Sequence, residues 1–141
     1  MSTRREILKQ AIDLVKHLDL RTDDECNLSP LQLRTLSYVK KGECVKPTEI
    51  AKEFNITPAT VTAQIDKLVK KGWIKRTSCK DDRRVVNITL TPKAQKELEG
   101  VIDKTLGKYD WIFEVLNKEE EQQLLNLFIK IHENAHSRKE K

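Results

Sequence analysis

Near the end of the chain, His132-Glu133-Asn134-Ala135-His136 spells HExxH. On a helix the two imidazoles share one face, where they can hold a divalent metal with the glutamate as general base. No third ligand follows the motif, His17 is the only other histidine, and no room remains for a substrate cleft. We therefore read the pair as a solvated helix end, where histidines suit the negative pole of the helix dipole. A regulatory metal site drawn from His132, His136 and His17 is the alternative. Cys26, Cys44 and Cys79 are widely spaced and form no CxxC pair, which argues against a zinc ribbon or a thioredoxin-like motif. They read as reduced thiols of an intracellular chain, with redox sensing as the alternative. The four glycines make no phosphate-binding loop, and no spacing suggests a Ser/His/Asp arrangement. The expectation is a chain that is not an enzyme and needs no cofactor.

Basic and hydrogen-bonding residues make the stronger pattern. Between residues 57 and 84, eight lysines and arginines stand against three aspartates, a net +5 equal to that of the whole chain. All the excess positive charge is thus confined to one short stretch, as on a surface that meets phosphates. Within it, Thr57, Ala59, Thr60, Thr62, Ala63 and Gln64 fall near the start of a helix, opposite Val61, Ile65 and Leu68. Such short or hydrogen-bonding side chains can approach base edges, and the threonine and alanine methyls can meet those of thymine. Lys67 and Lys70 are placed to hold phosphates. Lys80, Asp82, Arg83 and Arg84 form a charged hairpin tip. An arginine there can enter a narrow minor groove, and a carboxylate two residues earlier can hold its guanidinium extended.

The elements that position these residues are marked by proline. Ser29-Pro30, Thr57-Pro58 and Thr91-Pro92 each pair a capping hydroxyl with a proline suited to the first helical position. Asn117 with Glu120 marks a fourth start in the same way. Apolar spacing predicts a first helix from Arg4 to Leu20, a second from Ser29 to Gly42, and a short third from Thr48 to Phe54. The tight link Asn55-Ile56-Thr57 then enters a fourth helix over 58–71. After Gly72 the period changes to 2, predicting strands over 73–78 and from Val86 to Leu90. In the second strand Val86, Ile88 and Leu90 face one way, Asn87 and Thr89 the other. A long fifth helix follows Pro92, with an apolar stripe from Leu98 through Tyr109 and Phe113 to Leu116. The sixth runs from Lys118 to about Ala135, with Leu124, Leu127, Phe128 and Ile131 inward, and the tail SRKEK is expected to be disordered. The fold class is mainly α with a small antiparallel β-wing: a winged helix-turn-helix with N- and C-terminal dimerisation helices.

At 141 residues, with 38% apolar and 5% aromatic content, the chain is short of core-forming material and is expected to complete its core with a second copy. No apolar run is long enough to span a membrane, and the N-terminus lacks the apolar region of a secretory signal, so a cytoplasmic location is expected.

The segments LSPLQLRTLSYV, TEIAKEFNITPATVTAQIDKLVKKGWIKR and DDRRVVNITLT, in this order of helices, resemble the MarR family of winged helix-turn-helix regulators over residues 5–135. The Asp-x-Arg wing falls on Asp82 and Arg84. The resemblance implies one MarR-like domain over 1–141. Its DNA-binding lobe covers 29–91, and its dimerisation region covers 4–20 and 92–136. It also implies a homodimer on double-stranded DNA, minor-groove insertion by Arg84, a repressor role and a small aromatic anion as effector. Ala94 departs from the glycine usual in relatives, which affects only the entry to the fifth helix. The expected function is sequence-specific binding of a pseudo-palindromic operator. The recognition helix over 58–71 would lie in the major groove and the wing over 79–85 in the minor groove. The alternative is an architectural winged helix of low sequence specificity.

Overall fold

The computed structural model describes residues 2–22, 26–42, 44–78 and 82–139. Six α-helices and one hairpin follow in order: α1 (Thr3–Lys16), α2 (Pro30–Lys41), α3 (Pro47–Phe54), α4 (Pro58–Lys70), β1 (Ile74–Ser78), β2 (Val86–Leu90), α5 (Pro92–Gly107) and α6 (Lys118–Lys139). A 3-10 segment, Asp110–Val115, separates the last two.

The hydroxyl–proline pairs start helices as the sequence predicts. Ser29 makes a reciprocal cap with Gln32: its hydroxyl accepts from the Gln32 backbone N–H at 3.2 Å, and the Gln32 side-chain oxygen accepts from the Ser29 N–H at 3.0 Å. Thr57 caps α4 and Thr91 caps α5, each accepting from the amide three residues on at 3.2 Å. Asn117 and Glu120 exchange two such bonds ahead of α6. The stops are equally local. At the end of α4, Gly72 has φ +80°, and the amides of Gly72 and Trp73 bond back to Val69 and Leu68, each at 3.0 Å. This left-handed ending satisfies two last-turn carbonyls and suits a residue without Cβ. Asn55, φ 52°, closes α3 in the same way. Gly42 differs: its φ is −100°, and a Cβ there would lie 2.8 Å from Val45 Cγ2, so it is small size that the position requires.

The core lies between α2, α3, α4, the hairpin and the first half of α5. Leu36, Leu68, Ile88, Ala94 and Leu98 are wholly buried in it, with Ile50, Val61 and Ile65 nearly so. Each large side chain among them contributes roughly 1.5–3 kcal/mol. Ala94 is therefore a core residue as well as part of the entry to α5. The strands pair antiparallel, Ile74 with Leu90 through Ser78 with Val86. Val45 adds a one-residue bridge to Ile88, with bonds of 3.3 and 2.7 Å in the two directions. That bridge anchors the start of α3, whose preceding residue, Lys46, makes no side-chain cap.

Five expectations are corrected. First, α1 ends at Lys16 rather than Leu20. Asp19 instead turns its carboxylate onto the Arg21 backbone amide (3.1 Å) and guanidinium, a local bond that competes with helix. Second, the long fifth helix stops at Gly107. Tyr109 and Lys108 there reach across to the α1–α2 linker. The Tyr109 hydroxyl donates to the Asp19 carbonyl at 2.8 Å and accepts from its amide, and Lys108 Nζ donates to the Arg21 carbonyl at 3.1 Å. Third, the strand alternation fails at the start of β2, since Asn87 is buried and Val86 exposed. Fourth, the stripe of α6 does not face inward within the chain: Leu127, Phe128 and Ile131 are all exposed. Finally, Ser137–Lys139 of the expected disordered tail continue α6.

Candidate nucleic-acid interface

The helix pair α3–α4 and the hairpin place the basic stretch on one side of the core. Because Val61, Ile65 and Leu68 pin α4 inward, the opposite face carries the residues singled out by sequence. Thr57, Ala59, Thr62, Ala63, Lys67 and Lys70 are exposed, while Thr60 and Gln64 are half-buried. All three threonine hydroxyls are engaged locally. Thr60 and Thr57 share a hydrogen bond of 2.8 Å, and Thr62 donates to the Pro58 carbonyl at 3.0 Å. The side-chain oxygen of Gln64 is buried and has no hydrogen-bond partner among the described residues.

The wing brings Asp82, Arg83 and Arg84 together. Arg84 Nε lies 3.2 Å from Asp82 Oδ1 and Nη2 lies 3.3 Å from Oδ2, a two-point pairing of guanidinium and carboxylate. The Arg84 amide donates to the same carboxylate at 3.0 Å, so backbone and side chain are set by one acid. The Arg84 side chain is nevertheless 91% exposed. Its hydrogen bonds, from side chain and then backbone, hold the Asp82 carboxyl below the usual carboxylate range. Arg83 is exposed beside it. Lys80, with Asp81 and Cys79, lies outside the described residues.

Three contributions were missed by sequence reasoning. Arg76 on β1 bonds to Asp66 on α4, tying wing to helix. Lys71 donates to the Asn27 carbonyl and, at 3.4 Å, to buried Gln32, fastening the end of α4 to the start of α2. Lys93 stacks over Trp73, its Nζ 4.9 Å from the ring centre. Asp66 with Arg76 stood in the sequence as an acid on a helix and a base in the adjoining strand. The other two depend on which turn brings which segments close.

A second feature is a cleft of about 340 Å3 whose walls include Leu20, Leu33, Tyr38, Ile102 and Leu106, with Arg34 at its edge. The Arg34 guanidinium sits 4.6 Å over the Phe54 ring, and Tyr38 meets Phe54 edge-on. Burial, then the Glu49 and Glu53 charges, pushes the Tyr38 phenol up from its ordinary value. His132 also lines this cleft, its ring stacked with that of His136 at 6.4 Å, and His136 Nδ1 is 3.7 Å from Glu53 Oε1. Among the described residues no three His, Cys, Asp or Glu side chains converge to hold a metal. His17 closes α1 instead. Cys44 is an exposed thiol, and Cys26 is half-buried. No described helix is long and apolar enough to cross a membrane.

Comparison with known proteins finds the MarR family model matching residues 28–86. The uncharacterized HTH-type transcriptional regulator YfiV of Bacillus subtilis (strain 168) is 30% identical over 112 residues, spanning 77% of this chain and 70% of that protein. The HTH-type transcriptional repressor MdtR of the same organism is 34% identical over 83 residues. That match spans 59% of this chain and 54% of MdtR. Among solved structures, a mutant MarR from E. coli complexed with operator DNA superposes with a TM-score of 0.66 at 24% identity. It covers 93% of this chain and 99% of that one, a likeness of fold.

Proposed function

The chain belongs to the MarR family, and on that premise we propose that it is a DNA-binding transcriptional regulator, a repressor that acts as a homodimer on a pseudo-palindromic operator. The observation that carries this reading is the wing. Arg84 is held forward by Asp82 yet almost wholly exposed, beside a helix whose outer face is short, polar and basic. Such a guanidinium has paid in advance for the extended pose that a narrow minor groove selects. In this reading α4 enters the major groove through Thr57, Ala59, Thr60, Thr62, Ala63 and Gln64. Lys67, Lys70 and Lys80 hold phosphates, and Arg83 and Arg84 follow the adjacent groove. The operator complex of the E. coli MarR and the similarity to the transcriptional repressor MdtR support the same assignment.

The homodimer is supported by what the single chain leaves uncovered. Ile7, Leu8, Ile12 and Val15 of α1, Trp111 and Val115 of the 3-10 segment, and Phe128 and Ile131 of α6 are all exposed, Val115 at 85%. Exposed apolar side chains on three terminal elements need a partner surface, and a second copy supplies one. A two-fold axis through them would set two α4 helices about 34 Å apart, one turn of duplex. We assign residues 29–91 to the DNA-binding lobe and 4–20 with 92–136 to the dimerisation region, within one domain in the cytoplasm.

The cleft behind Tyr38 is the proposed effector site. Its aliphatic walls and the Arg34 guanidinium suit a small aromatic anion. The deciding experiment is fluorescence anisotropy with DNA flanking the protein's own coding region. Specific affinity should exceed non-specific affinity by about 10³ or more at physiological salt. A ratio near one would instead favour the architectural alternative.

A further inference from the structure

The recognition face carries few groups able to tell one base from another. Ala59 and Ala63 offer only methyls, and Lys67 and Lys70 are point charges without directional preference among bases. Thr62 has given its one hydroxyl proton to the Pro58 carbonyl, and Thr57 and Thr60 share one hydrogen bond between them. What is left on these hydroxyls, lone pairs and the one proton not used between Thr57 and Thr60, makes single bonds, and a hydroxyl that can donate or accept does not fix one base. Gln64 is different. It sits half-buried between buried Val61 and Ile65 and the exposed Lys67, and its amide oxygen is cut off from solvent with no partner among the described residues. Buried amide oxygens are nearly always bonded, so an orphan on a surface built to meet a ligand points to the missing group.

Building on the DNA-binding reading above, we infer that Gln64 is the base-discriminating residue of α4 and that the base it reads is adenine. A glutamine amide matches the major-groove edge of adenine at two points, its oxygen accepting from N6–H and its nitrogen donating to N7. The other three bases do not offer that donor–acceptor pair in that order. The free protein thus leaves unfilled a bond that adenine completes, which sharpens the difference between right and wrong base. The side chain swings out about its own torsions to make it, while Val61 and Ile65 keep the helix in place.

The test uses full-length protein and a duplex selected by it from a random pool, with each half-site base pair then replaced in turn. Wild type should show one A·T position per half-site at which any replacement weakens binding by about 5- to 150-fold. Gln64→Met should flatten the preference there to within about twofold while leaving the remaining positions selective. Because methionine removes the orphan oxygen at similar volume, its melting temperature should be no lower than that of wild type. Thr89→Val, which deletes an equally unpartnered hydroxyl on β2, should leave the pattern intact. Retained discrimination in Gln64→Met overturns the inference, as does a preference for guanine at the affected position. A uniform loss of selectivity with a lowered melting temperature also overturns it, because that is the signature of a purely structural glutamine. If wild type shows no sequence preference at all, the regulator reading fails, and that result is separable from the others.

Discussion

Replacing Asp82 by asparagine sets charge against geometry at the tip of the wing. Counting charge alone, the substitution removes a negative group from the proposed DNA-facing surface and should tighten binding. The structure argues the opposite. Asp82 holds the Arg84 guanidinium at two points, 3.2 and 3.3 Å, and the Arg84 amide at 3.0 Å. An asparagine can still accept from the amide but cannot make the charged two-point pair. A 91% exposed guanidinium would then wander among rotamers. Ordering one such side chain on binding costs about 0.5–1.5 kcal/mol, so operator affinity should fall roughly 2- to 13-fold. The charge of Arg84 is kept, and the dependence on salt should not change. Arg84→Ala separates the two effects, since it loses the contact itself, about 1–3 kcal/mol, and lowers the salt slope by roughly 0.9. Anisotropy titrations of both variants on one operator at several salt concentrations give affinity and slope together. The effect of pH has a definite sign. The Asp82 carboxyl is held below its ordinary value, so the pair is intact above the unfolded carboxylate value near ~3.9 and is lost only as pH falls through the lower folded one. The wing's contribution should therefore be flat between about pH 5 and 8. If Asp82→Asn binds the operator as tightly as the parent or more so, the orienting role of this carboxylate is refuted.

Other consequences can be checked with standard measurements. Gly72→Ala forces a Cβ into a left-handed residue (φ +80°) with open space around it, so strain alone should destabilise the fold by about 1–2 kcal/mol in denaturant titration. Phe128→Glu places a charge on the exposed face of α6 and should shift sedimentation from dimer to monomer at micromolar concentration. A variant that stayed dimeric would remove α6 from the interface. Lys70→Ala should weaken specific and non-specific DNA almost equally and reduce the salt slope by about one. A selective loss on the operator alone would show that Lys70 reads bases.

The starts of helices were legible because their chemistry is local. Ser29, Thr57, Thr91 and Asn117 each cap a helix through an amide three residues on, within reach of any short window of sequence. The end of α5 was not. Tyr109 and Lys108 spend their polar groups on Asp19 and Arg21, some ninety positions away, and periodicity carries no trace of such a partner. The apolar stripe of α6 was visible but its direction was not, since periodicity identifies a face without saying what covers it. Within the candidate interface the pairing of Asp82 with Arg84 could be read from a spacing of two. The inward turn of Gln64 and the tie of Lys71 to Asn27 and Gln32 required the fold. Asn87, polar yet buried, breaks the alternation because the strand has a covered surface on both sides near its centre.

The grip of Tyr109 and Lys108 on the α1–α2 linker has a mechanical consequence. It rivets the end of α5 to the segment between α1 and α2, a fulcrum between the proposed dimerisation elements and the proposed DNA-binding lobe. Rotation of one part against the other must turn about that rivet, so the largest excursion falls at the farthest tip of the lever. On the proposed reading, a few degrees of swing there would carry Arg84 out of register with a minor groove.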